Sequence, residues 1–148
     1  MKMESLDKIV PIQFNEEVDA LLSGEHLPVS DLRNSSKTTL FGVCEGSRIV
    51  GVVGIEVYDR VGLIRSLVVD KTARGSGYGR KLVAKAEKWS DEQGIQTLYL
   101  LTTTAAGFFS RIGYEVADRS EAPNSIAGTA QFADLCPSSA VFMCKRTS

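Results

Sequence analysis

The run from Leu63 to Trp89, LIRSLVVDKTARGSGYGRKLVAKAEKW, constrains this chain more than any other. Leu63-Ile64 and Leu67-Val68-Val69 form an apolar, β-branched stretch suited to a strand covered on both faces. Asp70-Lys71-Thr72 breaks that pattern, and Arg74-Gly75-Ser76-Gly77-Tyr78-Gly79 follows. From Gly79 the period becomes helical. Leu82, Ala86 and Trp89 fall on one face with Val83 beside them, while Lys81, Lys85, Lys88 and Glu92 face outward. Gly94 stands where a left-handed cap ends such a helix.

A strand, a glycine-broken turn and a helix make an anion cradle. Gly75, Gly77 and Gly79 free the backbone dihedrals and remove the Cβ atoms that would obstruct a ligand. Unpaired N–H groups in the first helical turn point at whatever sits there, and the helix dipole favours negative charge. Arg74 and Arg80 bracket the loop with positive charge, so a di- or triphosphate is the natural guest.

Spacing narrows the choice. The P-loop string Gly-x-x-x-x-Gly-Lys-Ser/Thr is absent, and Gly75-Ser76-Gly77-Tyr78-Gly79 departs from the Gly-x-Gly-x-x-Gly dinucleotide fingerprint. The pattern Arg/Gln-x-x-Gly-x-Gly/Ala is filled by Arg74, Gly77 and Gly79. Here the chain resembles the GNAT superfamily of acetyl-CoA-dependent N-acetyltransferases, whose pyrophosphate loop has this form after a strand ending in Leu-x-Val. A second block agrees in register. The family's Asn-x-x-Ala-x-x-Phe-Tyr-x-x-x-Gly-Phe is met by Thr102, Ala105, Phe108, Phe109, Gly113 and Tyr114. Thr102 replaces the Asn. Phe109 replaces the Tyr that commonly protonates the departing coenzyme thiolate, and it has no ionisable proton to give.

A narrower resemblance runs along most of the chain. Leu21 to Leu32, Gly54 to Tyr58, Arg65 to Val69, Tyr99 to Ala105, Gln131 to Ala140, and Met143 together resemble the small bacterial acetyltransferases encoded alongside arsenic-resistance genes. That kinship implies a GNAT fold over residues 1–148 as a single domain. The fold class it implies is α/β (α+β), a mixed central sheet of about seven strands with helices on both faces.

The resemblance also distributes roles. The pantetheine arm of acetyl-CoA is expected along the fourth strand, bonded by main-chain groups of Leu67, Val68 and Val69. The Val69 N–H is the expected donor to the thioester oxygen. The N–H groups of Gly75, Ser76, Gly77, Tyr78, Gly79 and Arg80 are expected on the pyrophosphate together with Arg74. Thr102, Phe108 and Phe109 are placed against the coenzyme, with core packing an equal claim for Phe108.

An amine acceptor is mostly protonated at neutral pH and needs a base. Glu56, polar within an apolar strand, is the candidate; a solvated sheet-edge glutamate is the rival reading. Arg65 is a second polar intruder. A buried charge demands a partner, either Glu56 or an anion on the substrate. Strand alternation puts Arg65 with Leu67 and Val69 on one face and Ser66 with Val68 on the other. The implied activity is N-acetylation of a small, amino-acid-like amine or an arsenic- or phosphorus-bearing analogue. The alternative is an acyl-CoA-binding regulator, which the loss of Tyr at Phe109 supports.

Composition excludes other classes. The chain has 148 residues, 43% of them hydrophobic and 24% charged, with a net charge of -1; its pI is near 5.9 and its mean hydropathy -0.02. No basic stripe suggests nucleic acid. No leader and no apolar run near the roughly 20 residues needed to span a bilayer is found, so a cytoplasmic protein without a membrane partner is expected. A homodimer is admitted. Cys44, Cys136 and Cys144 have no zinc spacing with His26, so no metal is expected, and reduced, mostly buried thiols are; a metalloid contact through Cys136 and Cys144 is the rival. His26 is read as a loop residue rather than a base.

The remaining pattern supplies the other elements. A strand is expected over Lys8 to Phe14, then a helix capped by Asn15 with apolar Val18, Leu21 and Leu22, and another helical turn over Leu27 to Leu32. Thr39 to Cys44 and Arg48 to Val57 read as a hairpin. Thr97 to Leu101 reads as a buried strand, and Ala106 to Ile112 as a helix stopped by Gly113. Tyr114 to Arg119 and Ala140 to Arg146 read as strands, with a helix over Ala122 to Cys136.

Overall fold

The computed structural model describes residues 9–25, 27, 38–75, 77–129 and 140–147. The chain order is β1 (Ile9–Ile12), α1 (Glu16–Gly24), β2 (Thr38–Glu45), β3 (Arg48–Tyr58), β4 (Val61–Val69), α2 (Tyr78–Glu92), β5 (Thr97–Thr102), α3 (Ala106–Arg111), β6 (Glu115–Val116), α4 (Asn124–Ala127) and β7 (Val141–Arg146). The strands form one seven-stranded sheet ordered β1-β2-β3-β4-β5-β7-β6. Every neighbouring pair is antiparallel except β4 and β5. The fold is the mixed α/β arrangement that the sequence implies.

Each helix docks by the stripe its sequence provides. Leu82, Val83 and Ala86 of α2 are buried, and they pack on Phe41, Val43, Val53, Ile55, Ile64, Leu98 and Leu100. The opposite face carries two separate clusters. Val18 and Leu22 of α1 cover Leu40, Val52 and Val68, while Ile126 of α4 meets Leu63 and Phe142. The side chain of Asn15 accepts the N–H of Val18 at 2.9 Å, the N-cap bond that starts α1. The chain leaves α2 through Gly94 at φ +82, in the left-handed region that glycine tolerates best.

Some expectations are trimmed. The first strand is Ile9–Ile12, and β6 is only Glu115–Val116. The described part of the helix expected from Ala122 is Asn124–Ala127, followed by its cap at Gly128. The helical turn at Leu27 to Leu32 lies outside the described residues except for Leu27, as do His26, Ser76, Cys136 and most of the Gln131 to Ala140 block. The thiols are less buried than expected: Cys44 is exposed and Cys144 half-buried, both free. The register of β2 on β3 slips between Val43 and Cys44, which carries Cys44 past the end of the buried run. Burial and the nearby carboxylates of Glu115 and Glu121 push the Cys144 thiol up.

Candidate active site

Among the described strands the only parallel seam is also the shortest central one. β4 and β5 pair from Val61↔Thr97 to Ile64↔Leu100, after which the ladder ends although both strands continue. Beyond Ile64 the strands part. The opening is a groove whose near half, about 280 Å³, is lined by Leu67, Val68 and Val69 on one side and by Thr104, Ala105 and Phe108 on the other. Its second half, about 380 Å³, runs on past Arg74, Gly75, Gly77, Tyr78, Gly79 and Arg80. Val69, Arg74, Gly79 and Phe108 line both halves, so the two are continuous.

The loop has the geometry its glycines predict. Gly75 and Gly77 have φ of +90 and +82, and a Cβ built on Gly77 would meet no atom of the described residues beyond its chain neighbours within 4 Å. Gly77 lines the second half of the groove. Among the described residues no side chain caps α2, and the Lys81 N–H is the first to find an intrahelical acceptor, Gly77 O at 3.2 Å. The preceding N–H groups, of Tyr78, Gly79 and Arg80, belong to the first turn, which has no intrahelical partner of its own, at the groove. Tyr78 is held by its hydroxyl, which donates to Glu45 at 3.0 Å; that bond pushes the Tyr78 hydroxyl up.

Arg74 spans the mouth of the groove. Its Nε donates to the carbonyl of Val69 at 3.0 Å, and its Nη2 lies 2.9 Å from Glu25 Oε1. Glu25 is the C-cap of α1. Glu25, Leu27, Ala73 and Thr104 line the groove without having been named as site residues from the sequence, and Ala105 of the second family block lines it too. Thr104 and Ala105 had a usable signal, the polar tail of β5 before a helix start. For Glu25 and Leu27 the signal was weaker: they follow α1, part of the early helical pair that the resemblance places over the acceptor pocket.

The aromatic pair divides. Phe108 lines both halves of the groove, whereas Phe109 is 4% exposed and sits in the core. Its ring packs edge-on to Phe108 and Tyr114, at 5.1 and 5.4 Å between centroids. Phe109, expected on the coenzyme arm, lines neither half of the groove: successive helical residues diverge by about 100°, and α3 turns Phe108 out and Phe109 in. Thr102 has a local task, since its Oγ1 accepts the Ala105 N–H at 2.9 Å and fixes the turn from β5 into α3.

Glu56 and Arg65 do come together. Arg65 Nη1 lies 2.7 Å from Glu56 Oε2, with both side chains almost wholly buried. The Tyr58 hydroxyl donates a short hydrogen bond to Glu56 Oε1, and Arg65 Nε donates to Ser66 Oγ at 3.0 Å. Neither Glu56 nor Arg65 lines the two halves of the groove described above. The alternation expected along β4 fails at Ser66. Ser66 has φ +59, and the pairing steps from Val52↔Val68 to Gly54↔Arg65, so β4 carries one extra residue. Leu67 and Val69 pack toward α2, while Arg65 joins the face of Leu63 and Val68.

Among the described residues no group of three or more His, Cys, Asp or Glu side chains is arranged to hold a metal ion. No described helix is long and apolar enough to cross a membrane.

The chain belongs to the acetyltransferase (GNAT) family, whose model matches residues 5–114. Over 80 residues it is 36% identical to an uncharacterized N-acetyltransferase of Chlorobaculum tepidum, covering 53% of this chain and 51% of that one. It thus spans about half the length of the curated relative it matches. Among solved structures, N-acetylglutamate synthase from Neisseria gonorrhoeae, complexed with coenzyme A and N-acetyl-glutamate, superposes with a TM-score of 0.78 at 19% identity, over 99% of this chain and 36% of that one. A GNAT-family acetyltransferase from Staphylococcus aureus Mu50 gives 0.77 at 21% identity, over 95% and 99% of the two chains. At these identities the likeness is one of fold.

Proposed function

We propose that this protein transfers an acetyl group from acetyl-CoA to the amine of a small acceptor. The observation that carries the reading is the continuity of the groove. An uncapped helix N-terminus flanked by Arg74 and Arg80 opens onto a strand edge freed by the splay of β4 from β5. A ligand with a pyrophosphate at one end and an extended amide arm at the other matches both halves. The helix start and loop take the phosphates, and the β4 edge takes the arm as an added strand.

In this reading Gly75, Ser76, Gly77, Tyr78, Gly79 and Arg80 offer N–H groups to the pyrophosphate. Leu67, Val68 and Val69 hold the arm, and Phe108 packs on it. The Val69 N–H polarises the thioester carbonyl, stabilising the oxyanion formed as the amine attacks. The amine nitrogen bonds to the carbonyl carbon, the carbon–sulfur bond breaks, and coenzyme leaves as a thiolate that takes its proton from water. The Glu56 carboxylate, expected as the base, has both oxygens engaged by Tyr58 and Arg65. We therefore assign that pair to bracing β3 on β4, and the amine's proton to water.

The acceptor class rests on the narrower sequence resemblance: an amino-acid-like amine, or an arsenic- or phosphorus-bearing analogue linked to resistance. One continuous sheet supports residues 1–148 as a single domain. A cytoplasmic location and a homodimer complete the reading, the latter open to light scattering.

The test is turnover of acetyl-CoA with a panel of amines, followed by release of free thiol. Amine-dependent release supports the transferase; binding of coenzyme without turnover of any amine retires it. Replacing Gly77 by Val should abolish coenzyme A binding by calorimetry while leaving the circular dichroism of the fold intact. Unchanged affinity in that folded variant would remove the loop from the site.

A further inference from the structure

We infer that Glu25 holds the ammonium of the acceptor, and that coenzyme binding frees it to do so by drawing Arg74 away. The inference rests on the acetyl-CoA reading above and deepens it. The groove's two halves differ in charge. Of the described residues lining the half beside Leu67 to Val69, Glu25 alone is acidic and Arg74 alone basic. The half at the start of α2 holds Arg74 and Arg80 and no acid among its described lining residues. Arg74 belongs to both, and its guanidinium is turned toward Glu25 at 2.9 Å and toward the Val69 carbonyl at 3.0 Å.

A pyrophosphate on the helix start offers Arg74 a better partner. It carries more charge than one carboxylate, and its oxygens suit the guanidinium fork. Arg74 and Glu25 are 48% and 32% exposed in their side chains, so their ion pair is weak and is given up at little cost. Once Arg74 turns to the phosphates, Glu25 is the uncompensated charge of the other half. It stands on the α1 side, beside Leu27 and Val68. The coenzyme arm occupies the β4 edge, so this wall is what an incoming acceptor meets. A carboxylate there attracts an ammonium and holds it near Val69, where the thioester carbonyl is expected. Leu27 and Val68 give the acceptor's carbon chain an apolar surface.

This arrangement couples the two ligands. Coenzyme must come first, because the acceptor's anchor is tied up until it does. Calorimetry with coenzyme A, and transfer from acetyl-CoA to the amine panel, test this on wild type, Glu25→Gln, Glu25→Asp and Arg74→Gln. Glu25→Gln should bind coenzyme A at least as tightly as wild type, since Arg74 has lost its competitor. For the best amine its KM should rise tenfold or more with kcat changed less than threefold, and Glu25→Asp should recover part of that loss. Arg74→Gln should weaken coenzyme A binding yet leave the amine KM unchanged or lower at saturating acetyl-CoA. A Glu25→Gln KM within twofold of wild type, or an Arg74→Gln amine KM raised as much as that of Glu25→Gln, overturns this inference alone. Wild-type protein that binds no coenzyme A, or acetylates no amine, overturns the transferase reading and this inference with it.

Discussion

Removing one partner of the Arg65–Glu56 pair deprives the other, buried charge of this ion pair. Such losses cost about 3–5 kcal/mol, so Glu56→Gln should lower the denaturation midpoint sharply. Arg65→Lys should also destabilise, because one ammonium cannot serve Glu56 and Ser66 Oγ in the geometry of a guanidinium. Damage to every acceptor alike fits the brace; a raised KM confined to anionic amines, with the melting temperature unmoved, would mean that Arg65 reads the substrate. Phe109→Tyr places a hydroxyl in the core between Phe108 and Tyr114. Without a partner there it should cost about 1–3 kcal/mol, read from chemical denaturation. That Arg65 would need an anionic partner followed from sequence, since buried charge demands one, with Glu56 and a substrate anion both open. The face Arg65 occupies did not. Ser66 takes its left-handed backbone without being glycine, so no residue type announced the bulge that shifts the strand's phase.

At the scale of elements, α2 and the turn before it were the most legible part of the chain. Glycine spacing, flanking arginines and an apolar stripe all point one way, and the helix begins at Tyr78, one residue from the expected Gly79. One position on α2 works against the rest. Ser90 is fully buried, and its hydroxyl has no hydrogen-bond partner among the described residues. An unsatisfied buried hydroxyl is costly, and alanine is the better helix former. Ser90→Ala should therefore raise stability, by about 1 kcal/mol, as a shift in midpoint at constant m-value. A loss would mean that the hydroxyl has a partner outside the described residues. Among the shorter elements the sequence spoke less clearly. In α3, two adjacent phenylalanines could each have claimed the groove, and only the docking of the helix on the sheet decides which turns inward.

For the whole molecule, seven strands were readable from apolar runs and helices on both faces from the family resemblance, but the order β5-β7-β6 was not readable from those runs. Pairing order depends on contacts between residues far apart in the chain, which local periodicity does not encode. The order has a mechanical meaning. Strands β1 to β4 form one antiparallel block and β5, β7 and β6 another, and among the described residues only the sheet pairings from Val61↔Thr97 to Ile64↔Leu100 join them. A coenzyme arm laid between the diverging strand ends would work as a splint across that joint, binding the folded block on both sides at once. Its effect should reach beyond the groove. At one hundred times its dissociation constant, coenzyme A should add about 2.7 kcal/mol to stability. The gain should be concentrated at the joint, where the amides of Leu98 and Leu100 would exchange with deuterium more slowly in the complex, while those of Leu40 and Phe41, well inside the first block, would change little.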